Sequence, residues 1–333
     1  MRTVMKFLSL VVLLSFTAAG CGSGDTTDVG GGGGGTPASL NTVNAVQGAG
    51  VVMNMVGSTF DAGDLGGVIT GAVVKRPGTG LNLADFTKKQ LEKMISLEGQ
   101  PGSAAVGVVF SYPPMPCSVS GSVGVVLNDT NNDLELSEGD TITITYNNCV
   151  ELGLTTNGRM SLTLNSQTGD LVFPPYSFSV TATFNNLRIN DGFSVTSVNG
   201  SFTMGLITDA LGNDTISLDG SSLSISDGGF SATLSNFSFG MTFDYGTSDY
   251  TTFADGRVYS STIGGYVDFV TLVTFEGVDP NNPHVGVMRI TGANNSSVIM
   301  TVLDSTWVSL ALDADGDGFV DPGYPINVLW DSL

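Results

Sequence analysis

After Cys117, apolar side chains recur at every second residue over most of the chain, and that period admits few folds. Phe178, Val180, Ala182 and Phe184 alternate with Ser177, Ser179, Thr181 and Thr183. Ile142, Ile144 and Tyr146 alternate with Thr141, Thr143 and Thr145, and Phe237, Phe239, Met241 and Phe243 sit in a run with Ser238 and Thr242 between them. Neighbouring side chains of a strand point to opposite faces, so this pattern marks strands buried on one side. The polar faces are Ser and Thr rather than charged, which suits strand propensity and explains why only 13% of residues are charged. Asn157-Gly158, Asn199-Gly200, Asp219-Gly220 and Asp255-Gly256 each precede a strand-like run and read as turns, because these residues tolerate φ > 0. TYNNCVELGLTTNGRMSLTL and TFNNLRINDGFSVTSVNGSFTMGL look like variants of one hairpin unit, spaced too unevenly for a solenoid or propeller. Val267 to Phe275 is apolar on both faces and is expected at the centre of a sheet. The expected fold is mainly β: an antiparallel meander forming a sandwich or a curved, partly closed barrel, with one or two N-terminal helices.

The charge balance narrows the function. Acids outnumber bases 31 to 11, a formal net charge of −20. From Met94 onward the bases are Arg159, Arg188, Arg257 and Arg289 alone. A surface of that sign repels phosphate, so no nucleic-acid partner is expected. With 41% hydrophobic residues the chain has a core to build and is not a disordered acidic tail. A single histidine, His284, leaves no histidine cluster for a metal and excludes most catalytic triads. No carboxylate pair with a glycosidase arrangement stands out, and the chain is expected not to be an enzyme, with a glycan hydrolase as the weaker alternative.

The first residues read as an address. Arg2 and Lys6 precede the apolar run Phe7 to Phe16, too short to span a bilayer as a helix but laid out like a secretory signal. Ala18-Ala19-Gly20-Cys21 follows and resembles the lipobox of bacterial lipoproteins, with Ala18 where that family usually has leucine. The resemblance implies loss of residues 1–20 and lipidation of Cys21. Gly22 then stands where some lipoproteins carry an inner-membrane retention aspartate, so the expected place is the outer membrane, on its periplasmic or cell-surface face. Residues 21–38, with Gly30 to Gly35 unbroken, read as a tether of roughly 20–25 Å. Residues 39–101 form a helical segment: Ser39 to Val56 capped by Ser39 or Asn41, and Leu83 to Ser96 with an apolar stripe of Leu83, Phe86, Leu91 and Met94. The lysines of the second helix would touch head groups or, more simply, face solvent while the helix packs on the β domain, residues 102–333. Alternating strands also allow a membrane-spanning β-barrel, but a lipid anchor makes that the lesser reading.

Two acidic loops carry the sharpest chemistry. Asp313, Asp315, Asp317, Gly318, Phe319 and Asp321 resemble the calcium loop of EF-hands, dockerins and thrombospondin type 3 repeats. The resemblance makes Asp313, Asp315 and Asp317 ligands one, three and five, Phe319 a carbonyl ligand and Asp321 position nine; Tyr324 replaces the glutamate of position twelve. A second run offers Asp129, Asn131, Asp133, Glu135, Ser137 and Asp140 in the corresponding places, with Leu134 where the glycine would stand. Ca²⁺ takes six to eight oxygens, and carboxylates at alternate positions around a tight turn supply them. Cys117 and Cys149 lie symmetrically about Asp133, so strands pairing around that loop bring them opposite each other, and secretion favours a disulfide. Trp307 and Trp330 flank the last loop and form either a sugar-stacking platform or an ordinary packed pair. Together these motifs resemble β-rich bacterial lipoproteins. The expected function is a non-enzymatic, membrane-anchored envelope protein with structural Ca²⁺; the alternative is a carrier for a lipid or other apolar ligand, and its protein, glycan or lipid partner stays open.

Overall fold

Strands of alternating Val, Ile or Phe with Ser or Thr must hide one face, and here they do so in a single continuous sheet. The computed structural model describes residues 35–60, 83–95, 103–104, 109–131, 136–151, 153–169, 173–192, 194–227, 230–278 and 281–333. The strands are β1 (Ser103–Ala104), β2 (Val109–Ser111), β3 (Met115–Pro116), β4 (Ser120–Asn128), β5 (Thr141–Glu151), β6 (Leu154–Thr168), β7 (Tyr176–Asn190), β8 (Val195–Thr208), β9 (Asp214–Asp227), β10 (Phe230–Asp244), β11 (Asp249–Ser260), β12 (Gly265–Val278), β13 (Val285–Thr291), β14 (Ser297–Val302), β15 (Trp307–Asp313) and β16 (Ile326–Leu329). Each pairs antiparallel with the next in sequence from β4 to β16; β1 and β2 extend the sheet beyond β4, and β3 also pairs with β4. The sheet is a meander that does not close into a barrel.

One face of this sheet is buried almost completely. Ile144, Met160, Val180, Leu218, Phe239, Val258, Ile290 and Leu310 belong to a single core cluster that runs across the strands. Two helices pack into it. Helix α1 (Ala45–Phe60) is apolar around most of its circumference and lies against β10, β11, β14 and β15. A helix without a polar face is stable only when surrounded, and Ala45, Ala49, Val52 and Met55 are buried. It starts later than expected, because residues 35–40 run extended; Asn41 caps its first turn, its Oδ1 accepting the N–H groups of Val43 and Asn44. Helix α2 (Leu83–Ile95) packs on β5, where the Tyr146 hydroxyl donates to Gln90 Oε1 at 2.8 Å and Lys93 pairs with Glu151 at 3.4 Å. None of the described helices is long and apolar enough to cross a membrane.

The Asn-Gly and Asp-Gly pairs are not hairpin turns. All four lie inside strands, at Asn157-Gly158 in β6, Asn199-Gly200 in β8, Asp219-Gly220 in β9 and Asp255-Gly256 in β11. They belong to β-bulges that recur across the sheet, with register shifts in every neighbouring pair from β4 to β12 except β9 and β10. The unit is specific. Asn148 and Asn186 adopt φ of 46° and 50°, and each donates its N–H to an asparagine side chain of the next hairpin strand, Asn157 or Asn199, at 2.8 Å. The glycine after that asparagine, Gly158 or Gly200, has positive φ and lies where a Cβ would strike a backbone carbonyl, that of Asn186 or Ser222. Bulges bend and twist strands, so this line curves the 14- and 15-residue strands around their core. The two similar segments noted in the sequence are indeed hairpins, β5–β6 and β7–β8, but they turn at Gly153 and near Gly192.

Strand β12 also differs from expectation. Val267, Phe269 and Phe275 are buried while Leu272 and Val273 face outward, because register irregularities after Thr271 and after Val273 break the alternation. It lies between β11 and β13 but has one buried face, not two.

Candidate metal centre

The hairpin between β15 and β16 holds the terminal acidic loop. Asp313 ends β15, and its carboxylate is the hub of the loop: Oδ1 accepts the N–H of Gly316 at 2.8 Å and of Asp317 at 3.2 Å, and Oδ2 that of Gly318 at 3.0 Å. Asp317 in turn accepts the N–H of Phe319 at 2.8 Å. Successive turns of this kind wind the backbone tightly, so the carboxylates of Asp313, Asp315 and Asp317 converge, with one oxygen of each within 4.8 Å of the others. Like charges at that separation repel by about 1 kcal/mol per pair even at the dielectric constant of water, and a divalent cation reverses the sign. Asp321 is not in that group; its Oδ2 accepts the Ala314 N–H at 2.7 Å and ties the end of the loop to its start. Phe319 is 77% exposed at the tip. Three hard oxygen donors so placed are of the chemistry that suits Ca²⁺, for which the loop resemblance implies the Phe319 carbonyl as a further ligand.

Gly316 was not singled out by the motif, yet it seats the loop. Its φ is 74°, and a Cβ there would collide with the Asn294 carbonyl in the turn between β13 and β14. The only sequence sign was the Asp-Gly pair itself.

The first acidic loop is built differently. Asp133 and Glu135 lie outside the described residues. Asp129 and Asp140 are buried at its base. Asp140 accepts four hydrogen bonds: Oδ1 from the Thr130 N–H and hydroxyl at 2.7 and 2.9 Å, Oδ2 from the Ser137 N–H and hydroxyl at 2.8 and 3.0 Å. Asn131 donates to the Ser137 hydroxyl at 2.9 Å. Asp140 therefore acts as a clasp between the two ends of the loop, with both oxygens already occupied by protein donors.

Burial opposes ionisation of Asp140, but the bonds from Thr130 and Ser137 outweigh it and hold the carboxyl below its ordinary value. A carboxylate with a depressed folded pKa stabilises the fold above its unfolded value, about 4, and that contribution disappears as pH falls through the folded value. Urea midpoints of the wild type and Asp140→Asn, measured from pH 7 downward, should differ most at neutral pH and converge below about pH 4. A gap independent of pH contradicts this role.

Cys117, in the turn between β3 and β4, is disulfide-bonded to Cys149 of β5, with Cα atoms 5.5 Å apart. The tryptophans form no platform: Trp330 is 2% exposed and donates its indole N–H to the Asp304 carbonyl at 3.3 Å, while Trp307 is partly exposed. Cys21 lies outside the described residues. A groove of about 510 Å³ opens between β5, β6, β7 and β8, lined by Asn148, Thr155, Asn157, Arg188, Asn190 and Val195. Comparison with known proteins adds no identity, since no family model, curated protein or solved structure matches the chain.

Proposed function

We propose that this chain is a non-enzymatic lipoprotein of the cell envelope, anchored in the outer membrane through Cys21, whose β domain binds Ca²⁺ in a structural role and serves structural or interaction functions. The observation that carries the metal part is the convergence of Asp313, Asp315 and Asp317 on a hairpin held by its own backbone N–H groups. The lipobox-like Ala18 to Cys21 carries the anchor. Further support comes from chemistry already spent elsewhere, because Cys117 and Cys149 are consumed in the disulfide and His284 is the sole histidine. Helix α1 packs into the same buried cluster as the strand side chains, which favours a scaffold over a carrier of apolar ligands.

Four protein oxygens and no bidentate glutamate place the affinity in the range of extracellular calcium modules, Kd of about 10⁻⁴–10⁻³ M. Calorimetric titration with Ca²⁺ should show binding in that range, lost in Asp315→Ala plus Asp317→Ala. Equal heats for the wild type and the double variant would remove the site.

A further inference from the structure

We propose that the rim of the sheet where the chain joins it faces the lipid surface, and that Phe319 and Val320 at the tip of the acidic loop touch the bilayer. The proposal rests on the lipid anchor at Cys21. In a meander the hairpin turns alternate between two rims. One rim carries the turns at 129–140, 209–213, 245–248 and 303–306; the other carries those at Gly192, 261–264, 292–296 and 314–325.

The N-terminal segment joins the second rim. Tyr266, at the start of β12, donates its N–H to the Thr36 carbonyl at 3.2 Å and accepts that of Ala38 at 2.8 Å. Ala293, in the 292–296 turn, donates to the Ala38 carbonyl at 2.7 Å, and Leu40 donates to Ser296 Oγ at 3.0 Å. Gly316 of the acidic loop sits against Asn294 of that same turn. The tether thus ends beside the acidic loop. From Cys21 to Gly34 the sequence is Gly-rich, and about 14 such residues span roughly 20 Å. The opposite rim lies a whole strand away, roughly 45 Å along the 14-residue strands β8 and β9 and roughly 20 Å along the shorter β14 and β15. An anchor of that length holds the joining rim near the bilayer.

Exposure alone does not choose between the rims. Phe319 and Val320 are 77% and 51% exposed, with Val43 and Val119 exposed on the same side, but Phe173 at 69% and Leu211 at 85% stand out on the other. Charge agrees with the tether. The opposite rim holds Asp140, Asp209, Asp214, Asp244, Asp249 and Asp304 in or beside its turns. The joining rim, outside the acidic loop and among the described residues, has Glu151, Asp191 and Asp227 near its turns, and Glu151 is paired with Lys93. Arg188, in the groove near the β7–β8 turn, adds a cation on that side. Outside the acidic loop an anionic lipid surface repels the opposite rim more, and Ca²⁺ in the loop would offset two of the four charges of Asp313, Asp315, Asp317 and Asp321. Two apolar side chains bind a bilayer weakly by themselves. The anchor makes their contact intramolecular, so a weak contact suffices to orient the domain.

The test uses the processed protein extracted from membranes and reconstituted, in Ca²⁺-containing buffer, into phosphatidylethanolamine–phosphatidylglycerol vesicles doped with lipid spin-labelled near the head group. The protein's own reporters, Trp307 and Trp330, both stand at the opposite rim. They lie roughly 20 Å from the acidic loop along β15, so wild-type emission should be quenched far less than that of a tryptophan in the interface. Phe319→Trp, a change at an exposed tip, should add emission of which about half is quenched, since interfacial side chains sit about 5–10 Å deep. Leu211→Trp should behave like the wild type. Flotation in which the emission added by Phe319→Trp is unquenched, or in which wild-type emission or that added by Leu211→Trp is quenched as strongly, overturns the orientation and leaves the anchor standing. Failure of the wild type to float with the vesicles overturns the anchor, and this orientation with it.

Discussion

Replacing Cys117 and Cys149 together with serine is expected to lower the unfolding free energy by about 3–4 kcal/mol. The cross-link spans 32 residues, and the entropy of closing a loop of that size in the unfolded chain sets the figure. The loop it closes contains all of β4, the first acidic loop and most of β5. Both cysteines are buried, so the change also disturbs packing where β5 bulges beside Asn148. In a thermal scan the loss reads as roughly 5–10 °C. Reducing the wild type should give the same shift as the double substitution, because both act by freeing the unfolded chain. An unchanged midpoint after complete reduction would show that the pairing of β4 with β5 holds without the bond.

The second large effect is at the bulge line. Gly158→Ala should cost about 3 kcal/mol or more, through two additive causes. Its φ of 102° is disfavoured for any side chain, and the new Cβ meets the Asn186 carbonyl, a backbone atom held by β6–β7 pairing. Gly212→Ala separates the two causes. That glycine has φ of 88° in the β8–β9 turn but open space around it, so only the conformational cost remains, about 1 kcal/mol. Urea unfolding of the two variants should therefore differ by about 2 kcal/mol or more, the share due to close approach. Equal losses would mean that the β6–β7 bulge yields easily and does not shape the sheet.

That contrast also explains what could be read from the sequence. Alternation identified the strands, since it depends only on neighbours in the chain and one buried face. The Asn-Gly and Asp-Gly pairs read as turns yet form bulges, because a tight turn and a bulge demand the same local property, tolerance of φ > 0. What distinguishes them is a partner on another strand: Gly158 is constrained by Asn186, 28 residues away. The disulfide was legible because β4 and β5 pair around the first acidic loop, which brings the two cysteines near each other; the register is offset by one to two residues from a centre at Asp133, and Cys117 reaches Cys149 from the turn before β4. The Asp313–Asp317 convergence was legible because each carboxylate binds N–H groups within five residues. Trp330 was not, since its burial depends on Thr306 and Asp304 across the β15–β16 hairpin. Asp140 lies between these cases. Its place in the motif suggests a metal ligand; its clasp between Thr130 and Ser137 could not be read, since the spacing does not encode the orientation of those donors.

The structural role of Ca²⁺ is tested most directly by thermal unfolding of the full chain in Ca²⁺ and in chelator. At one to ten times Kd, binding to the folded state alone adds about 0.4–1.4 kcal/mol, a rise of roughly 1–4 °C. The account predicts that rise in the wild type, its reversal by chelator, and its absence in Asp315→Ala plus Asp317→Ala. Superimposable wild-type curves in the two media, or an equal rise in the double variant, would contradict it.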